Sequence, residues 1–153
     1  MILLYIFITI ATIFIMEGLA WIIHKYILHG PLWFLHQSHH TPQKTWWEWN
    51  DLVSVSYAVA AFFLIFFGAP TLEWYTFIGV GITLYGFLYF YLHDIIIHRR
   101  VKVKYKFNNK YIKRLIRAHK KHHKHLGKNP SEAYGFLYAT PKYEVKDAKK
   151  RAK

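Results

Sequence analysis

Four short histidine clusters, arranged as two matching pairs, constrain this chain more than any other feature. His24 and His29 enclose four residues and are followed by His36-x2-His39-His40. His93 and His98 repeat the first spacing, and His119-x2-His122-His123 repeats the second. Ten of the eleven histidines fall in these clusters. Imidazole is the commonest protein ligand for transition metals near neutral pH. A basic, histidine-rich tail that scavenges metal without specificity is the plainer alternative. It requires neither spacings that recur in order nor histidines at the exits of apolar stretches, where they are costly. The pattern therefore predicts a dinuclear metal centre beside membrane spans.

Three apolar stretches approach the ~20 residues needed to cross a bilayer: residues 2–23, with Glu17 their one charge, residues 52–67, and residues 74–92. Asn50-Asp51 offers a helix start before the second, and Gly68-Ala69-Pro70-Thr71 a turn between the second and third. The first is not expected to be a cleaved signal peptide, because it lacks a basic leader and runs directly into His24. All 21 Lys and Arg lie on segments that share one side of a three-span topology. By the positive-inside rule that side is cytoplasmic, and all four histidine clusters share it. The expectation is an all-α, multi-pass membrane protein: one integral-membrane domain over residues 1–153, with about three transmembrane helices, a cytoplasmic histidine-rich helical cap and a basic tail over 99–153.

Charge is segregated along the chain. Residues 99–153 hold 19 basic side chains against Glu132, Glu144 and Asp147, a net of +16, while residues 1–98 carry −3. Such a tail suits anionic lipid headgroups better than nucleic acid, and no nucleic-acid partner is expected. Cysteine is absent, which excludes a disulfide framework, a thiolate metal site and an iron–sulfur cluster. Any metal is held by nitrogen or oxygen.

Pro31 and Pro42 bracket a short helix on which His36, His39 and His40, at i, i+3 and i+4, share a face. A second helix is expected over 111–126, where Ile112, Leu115 and Ile116 begin a stripe that His119, His122 and His123 continue, with Gly127 as its stop and Pro130 just beyond. Residues five apart are rotated by ~140° on an ideal α-helix. His24 with His29, and His93 with His98, must then either serve different metals or sit on irregular helix. Glu17 and Asp94 are candidates to orient a histidine N–H, although Glu17 could instead pair with a neighbouring helix. His125 fits neither repeat and is expected at the surface. Val101 to Phe107 alternates apolar and basic, which suggests an extended or interfacial strip.

In order and spacing the four clusters resemble the fatty acid hydroxylase superfamily of membrane di-iron oxygenases. The linking text is most similar to its branch of bacterial beta-carotene 3-hydroxylases: Met16-Glu17, His24-Lys25-Tyr26-Ile27-Leu28-His29-Gly30, Asn50-Asp51-Leu52, Leu88-Tyr89-Phe90, His93-Asp94, Lys113-Arg114-Leu115, Ala118-His119 and Tyr134-Gly135-Phe136-Leu137-Tyr138-Ala139. The likeness covers roughly residues 16–141. Many superfamily members are described with four spans, whereas three stretches stand out here. The resemblance implies a non-haem di-iron monooxygenase with two irons held by the ten clustered histidines and O2 as co-substrate. Imidazole by itself also suits zinc. It further implies a carotenoid hydroxylated at C3 of its β-ionone ring, from beta-carotene through beta-cryptoxanthin to zeaxanthin. With no flavin or nicotinamide fingerprint in the chain, electrons are expected from a separate donor, such as a ferredoxin with its reductase. The basic tail would steer that donor or bind headgroups. The competing readings are a fatty-acyl or sterol hydroxylase or desaturase, and a non-enzymatic membrane metal-binding or transport protein.

Overall fold

The computed structural model describes residues 1–41, 45–102, 104, 107–129 and 131–144. Helices dominate, and no strand occurs among the described residues. Helix α1 (Ile2–Ile22) runs into a π-helical segment (Ile23–Leu28), α2 (Trp33–His40) is short, and α3 (Asp51–Gly68) ends in a 3-10 turn (Ala69–Thr71). Helix α4 (Trp74–Tyr89) runs into a second π segment (Phe90–Ile97), and α5 (Lys110–His122) precedes a last 3-10 turn (Pro141–Tyr143).

Three of these helices, Ile2–Leu28, Asp51–Thr71 and Trp74–Ile97, are long and apolar enough to cross a membrane. Each extends past the stretch read from hydropathy, because the π segments and the 3-10 turn continue it. Their outer faces are bare hydrocarbon: Phe14 is 73% exposed and Phe67 64%. In water such a surface would be a liability; in lipid it is the favoured one, since helices satisfy their own backbone groups there.

Helix α4 is the middle span, packed against α1 on one side and α3 on the other. Small residues allow the approach. A Cβ on Gly79 would lie 2.9 Å from the Ala61 carbonyl oxygen of α3, and one on Gly81 would lie 2.6 Å from Thr12 Cβ of α1. Either substitution forces a neighbouring helix outward. At the turn joining α3 to α4, Leu72 adopts a left-handed backbone (φ 53°) and lets the chain reverse.

Everything else gathers at one end of the spans, where α1 and α4 finish and α3 begins. Helix α5 starts on Asn109, whose side chain accepts the N–H groups of Tyr111 (2.8 Å) and Ile112 (3.3 Å), a stabilising N-cap. Its buried face, Leu115, Ala118, His119 and His122, packs through Leu115 and Ala118 onto Leu92 and Ile96 of the second π segment and onto Ala139 and Tyr143 of the returning loop.

One expectation needs correction. Helix α5 stops at His122 rather than continuing to residue 126, and no glycine among the described residues has positive φ, so Gly127 is not its left-handed stop. The physical reason is that His125, Lys128, Glu132 and Tyr134 offer their carbonyls to histidine rings, which a continued helix would prevent. The alternating strip also forms no strand at its described residues 101, 102, 104 and 107; residues 103, 105 and 106 lie outside the described set, as do Pro42 and Pro130.

Candidate metal centre

The x4 spacing finds its explanation in the π segments. A π-helix bonds residue i to i+5, so one inserted residue brings into line the pairs that an α-helix keeps apart. The N–H of His29 donates to the carbonyl of His24 (3.0 Å), and that of His98 to the carbonyl of His93 (2.8 Å). The rings follow their backbones, with centroids 5.3 Å apart in the first pair and 4.5 Å in the second. Of the two alternatives open at the sequence level, irregular helix is the one realised.

All ten clustered histidines converge. His24, His29, His36, His40 and His122 form one group and His39, His98, His119 and His123 another, with the ring nitrogens of each group within 4.8 Å of one another. His93 adjoins the second group, its Nε2 3.1 Å from that of His39. The partition crosses the two repeats. Each HxxHH triplet gives its first and last histidine, one helical turn apart, to the group of its own half. Each sends its middle histidine, His39 or His122, to the other. His125 belongs to neither group, although its backbone carbonyl accepts the Nδ1–H of His40 at 3.1 Å.

The inward nitrogens have the spacing of a shared coordination sphere. Nε2–Nε2 distances are 3.0 Å for His24–His36, 3.2 Å for both His29–His122 and His36–His40, and 2.8 Å for His98–His119. Two imidazole nitrogens bound at ~2.1 Å and at right angles stand ~3.0 Å apart. His123 Nε2 is buried with no hydrogen-bond partner, a gap that a metal ion would fill.

The outward nitrogens are fixed by acceptors. His24 Nδ1 donates to the Tyr134 carbonyl (2.9 Å), His29 to that of Lys128 (2.8 Å), and His36 to Asn50 Oδ1 (2.7 Å). His39 donates to Glu48 Oε2 (2.7 Å) and His93 to Asp94 Oδ1 (2.9 Å). His122 Nδ1 lies 2.9 Å from both the Glu132 carbonyl and the Ser131 hydroxyl. A carbonyl or carboxylate can only accept, so the proton sits on Nδ1 and the Nε2 lone pair faces inward, as a metal ligand requires. Burial keeps the rings neutral: it lowers His36 to about 3, His40 and His98 to about 4 and His122 to about 2, and it pushes His39, His119 and His123 well below the ordinary imidazole value.

Asp94 thus meets the ring of His93. Glu17 does not. Its Oε1 accepts the backbone N–H groups of Phe136, Leu137 and Tyr138 (3.0, 2.9 and 3.2 Å), and its Oε2 the Tyr85 hydroxyl (2.9 Å). It anchors the loop whose Tyr134 carbonyl orients His24, two steps from the ring. Glu48, Asn50 and the 125–134 carbonyls were not anticipated. Asn50 does open α3, but its side chain serves His36 instead of capping the helix. Arg100 binds the orienting carboxylates together, with Nη2 2.9 Å from both Glu48 Oε2 and Asp51 Oδ1, and Nε 3.5 Å from Asp94 Oδ1.

Two openings reach the histidines. A cavity of about 630 Å³ among α1, α3 and α4 is walled by side chains such as Ala20, Ala58, Phe62 and Phe87 and ends on His24, His36 and His93. A cleft of about 670 Å³ beyond the span ends is lined by His39, His40, His98, His119 and His123, with Glu48, Arg99 and Lys120.

Comparison with known proteins gives a consistent answer. The sequence profile described as Fatty acid hydroxylase matches residues 9–140. The chain is 42% identical over 134 residues to the beta-carotene hydroxylase of Pantoea ananas, covering 88% of this chain and 77% of that one. Identity to the beta-carotene hydroxylase of Paracoccus sp. (strain PC1) is 40% over 149 residues, covering 95% and 90%. The chloroplastic beta-carotene 3-hydroxylase 2 of Arabidopsis thaliana is 34% identical over 106 residues, covering 65% of this chain and 34% of that one. No solved structure matches.

Proposed function

The chain belongs to the fatty acid hydroxylase family, and from that premise we propose that it is a membrane carotenoid 3-hydroxylase, converting beta-carotene to zeaxanthin through beta-cryptoxanthin. One observation supports this above the others: the apolar cavity among the spans ends on the histidine assembly. A long, wholly apolar substrate can enter such a cavity only from the bilayer. The relatives named as beta-carotene hydroxylases weigh against an acyl or sterol substrate. Collection of the histidines at one end of the spans weighs against a transport path.

The ten clustered histidines would hold two metal ions, each ring aimed by its Nδ1 partner. Bound iron supplies the oxidising power that inserts one atom of O2 into an unactivated C–H bond, chemistry outside the reach of redox-inert zinc. The protein's own work is positioning. Asn50, the Tyr134 carbonyl and Asp94 hold His36, His24 and His93 where they face the cavity, and Glu48 holds His39 at the cleft. The apolar walls exclude water from the reacting carbon. The site faces the cytoplasm in this reading, since the basic segments lie at the same end of the spans. A ferredoxin with its reductase delivers the electrons.

Expression in a host that accumulates beta-carotene, with pigments and lipids analysed together, tests the substrate. Zeaxanthin is expected. Unchanged carotene beside newly hydroxylated acyl chains or sterols would overturn the carotenoid assignment. Purified protein should contain close to two irons per chain, and full turnover with zinc alone would overturn the iron assignment.

A further inference from the structure

The cleft opposite the apolar cavity has no part in binding an apolar substrate, yet it exposes the second histidine group. His98 and His123 are only half-buried, whereas the five members of the first group are all buried. The lip is basic and aromatic: Arg99, Lys120 and Trp46 line it and are exposed, Trp46 by 60%. Arg99 sits in the left-handed region (φ 55°), which disfavours a residue with a Cβ; the fold nevertheless keeps an arginine there. Its neighbour Arg100 is bound by Glu48, Asp51 and Asp94. Among the described residues, no acidic side chain pairs with Arg99 or Lys120.

Hydroxylation supplies the reason for such a lip. Converting R–H and O2 to R–OH and water consumes two electrons and two protons. The chain has no cysteine and no cofactor fingerprint to source the electrons, and the cavity side of the assembly faces lipid. We propose that this cleft is the docking site of an acidic one-electron carrier protein, gripped by Arg99 and Lys120 with Trp46 in the contact. Electrons enter from the cleft side of the histidine assembly and substrate from the cavity side. This inference rests on the hydroxylase reading for its chemistry and on charge complementarity for its partner. A carrier seated on the lip would stand next to the rings of His98 and His123, with no intervening layer of protein.

The test uses the full chain in neutral phosphatidylcholine nanodiscs and an acidic [2Fe–2S] ferredoxin. Affinity is read by fluorescence anisotropy and metal reduction by stopped-flow absorbance. Lys120→Glu should weaken ferredoxin binding by ~10-fold and slow ferredoxin-driven reduction in parallel, while reduction by dithionite stays unchanged. Arg99→Gly, which the left-handed backbone accepts, should weaken binding by ~3-fold. Lys113→Glu, exposed two turns back along α5, should change it less than ~2-fold, and added salt should erase the differences. Unchanged affinity in Lys120→Glu and Arg99→Gly would overturn the proposal. So would equal losses in Lys113→Glu, because net charge would then be the whole effect. Rim variants that lose anionic-vesicle binding but keep ferredoxin affinity would overturn it too, by assigning the lip to headgroups. Ferredoxin docking without any carotenoid product would instead sink the substrate reading and leave the docking site standing.

Discussion

The two histidine groups are built from the same ligand chemistry and differ in their surroundings. His24, His29, His36, His40 and His122 are all buried, and His24 and His36 also reach the end of the apolar cavity. His39 and His119 are buried too, but His98 and His123 are half-exposed, and all four line a polar cleft. Nearly identical spacings in the two halves thus produce one sealed group and one open group. The difference comes from what packs on them. The carbonyls of His125, Lys128, Glu132 and Tyr134 close over the first group, meeting four of its rings. The second is drawn from α2, the end of the second π segment and α5, and it borders the cleft that Glu48 and Arg100 also line. Access, and not side-chain type, separates the face of the assembly that ends the apolar cavity, with His24, His36 and His93, from the face that lines the polar cleft, where His40 joins the second group.

The largest effects should come from the clustered histidines themselves. His36→Ala and His122→Ala should each abolish turnover and remove the metal of the sealed group, while His39→Ala and His123→Ala remove that of the open group. Metal analysis after timed exposure to a chelator distinguishes them: wild type should lose metal in a fast and a slow phase, His123→Ala should lack the fast phase and His122→Ala the slow one. If both variants lose the same phase, the partition into two groups is wrong. Membrane insertion should survive in all four, because the apolar spans drive it.

Glu17→Ala should come next. It strips three backbone N–H groups and the Tyr85 hydroxyl of their acceptor, at a cost of ~2–4 kcal/mol, and it loosens the carbonyl that orients His24. Activity should fall ~10–100-fold, with the slow phase of metal release accelerated and the fast phase unchanged.

Asn50→Ala and Glu48→Ala compare the groups through their orienting partners. Each should weaken metal binding ~10–100-fold, at the sealed group through His36 and at the open group through His39. Loss of both metals together in either variant would show the two groups to be one cooperative unit.

Acid should unfold the metal-free protein. Burial holds His36 at about 3 and His98 at about 4, against an ordinary value of 6.5, so the unfolded chain binds more protons between pH 6.5 and those values. Stability is complete above pH 6.5 and falls as pH drops through that window, by up to ~1.4 kcal/mol per pH unit for each ring. Thermal melts of the apo protein at pH 7 and 5 should show the lower melting temperature at pH 5. The smallest effect belongs to His125→Ala. Only its backbone carbonyl serves the centre, and stability should move by less than ~0.5 kcal/mol.

Much of the site was legible because its chemistry is written in side-chain type and spacing. The i, i+3, i+4 triplets place His36, His39 and His40, and His119, His122 and His123, on single helix faces whatever the rest of the chain does. Three apolar stretches of adequate length predict three spans without reference to packing. The x4 pairs were not legible in the same way. An inserted residue that makes a π-helix leaves no mark in composition, and only the bonds from His29 to His24 and from His98 to His93 reveal it. Glu17 was legible only in part: pairing with a neighbouring helix was open and is met by Tyr85 of α4, whereas the loop that captures it lies more than a hundred residues away in sequence.

Sequence alone determined the histidine clusters, the all-helical membrane class and the family, because residue identity and local period are properties of a linear chain. Tertiary structure decided which histidines share a group, which carbonyls hold their rings, and which group is sealed from solvent. Those outcomes depend on backbone groups that every residue possesses alike, and on the approach of segments as distant as α1 and the 134–138 loop. No side-chain code distinguishes the carbonyl of Tyr134 from any other; only its position beside His24 does.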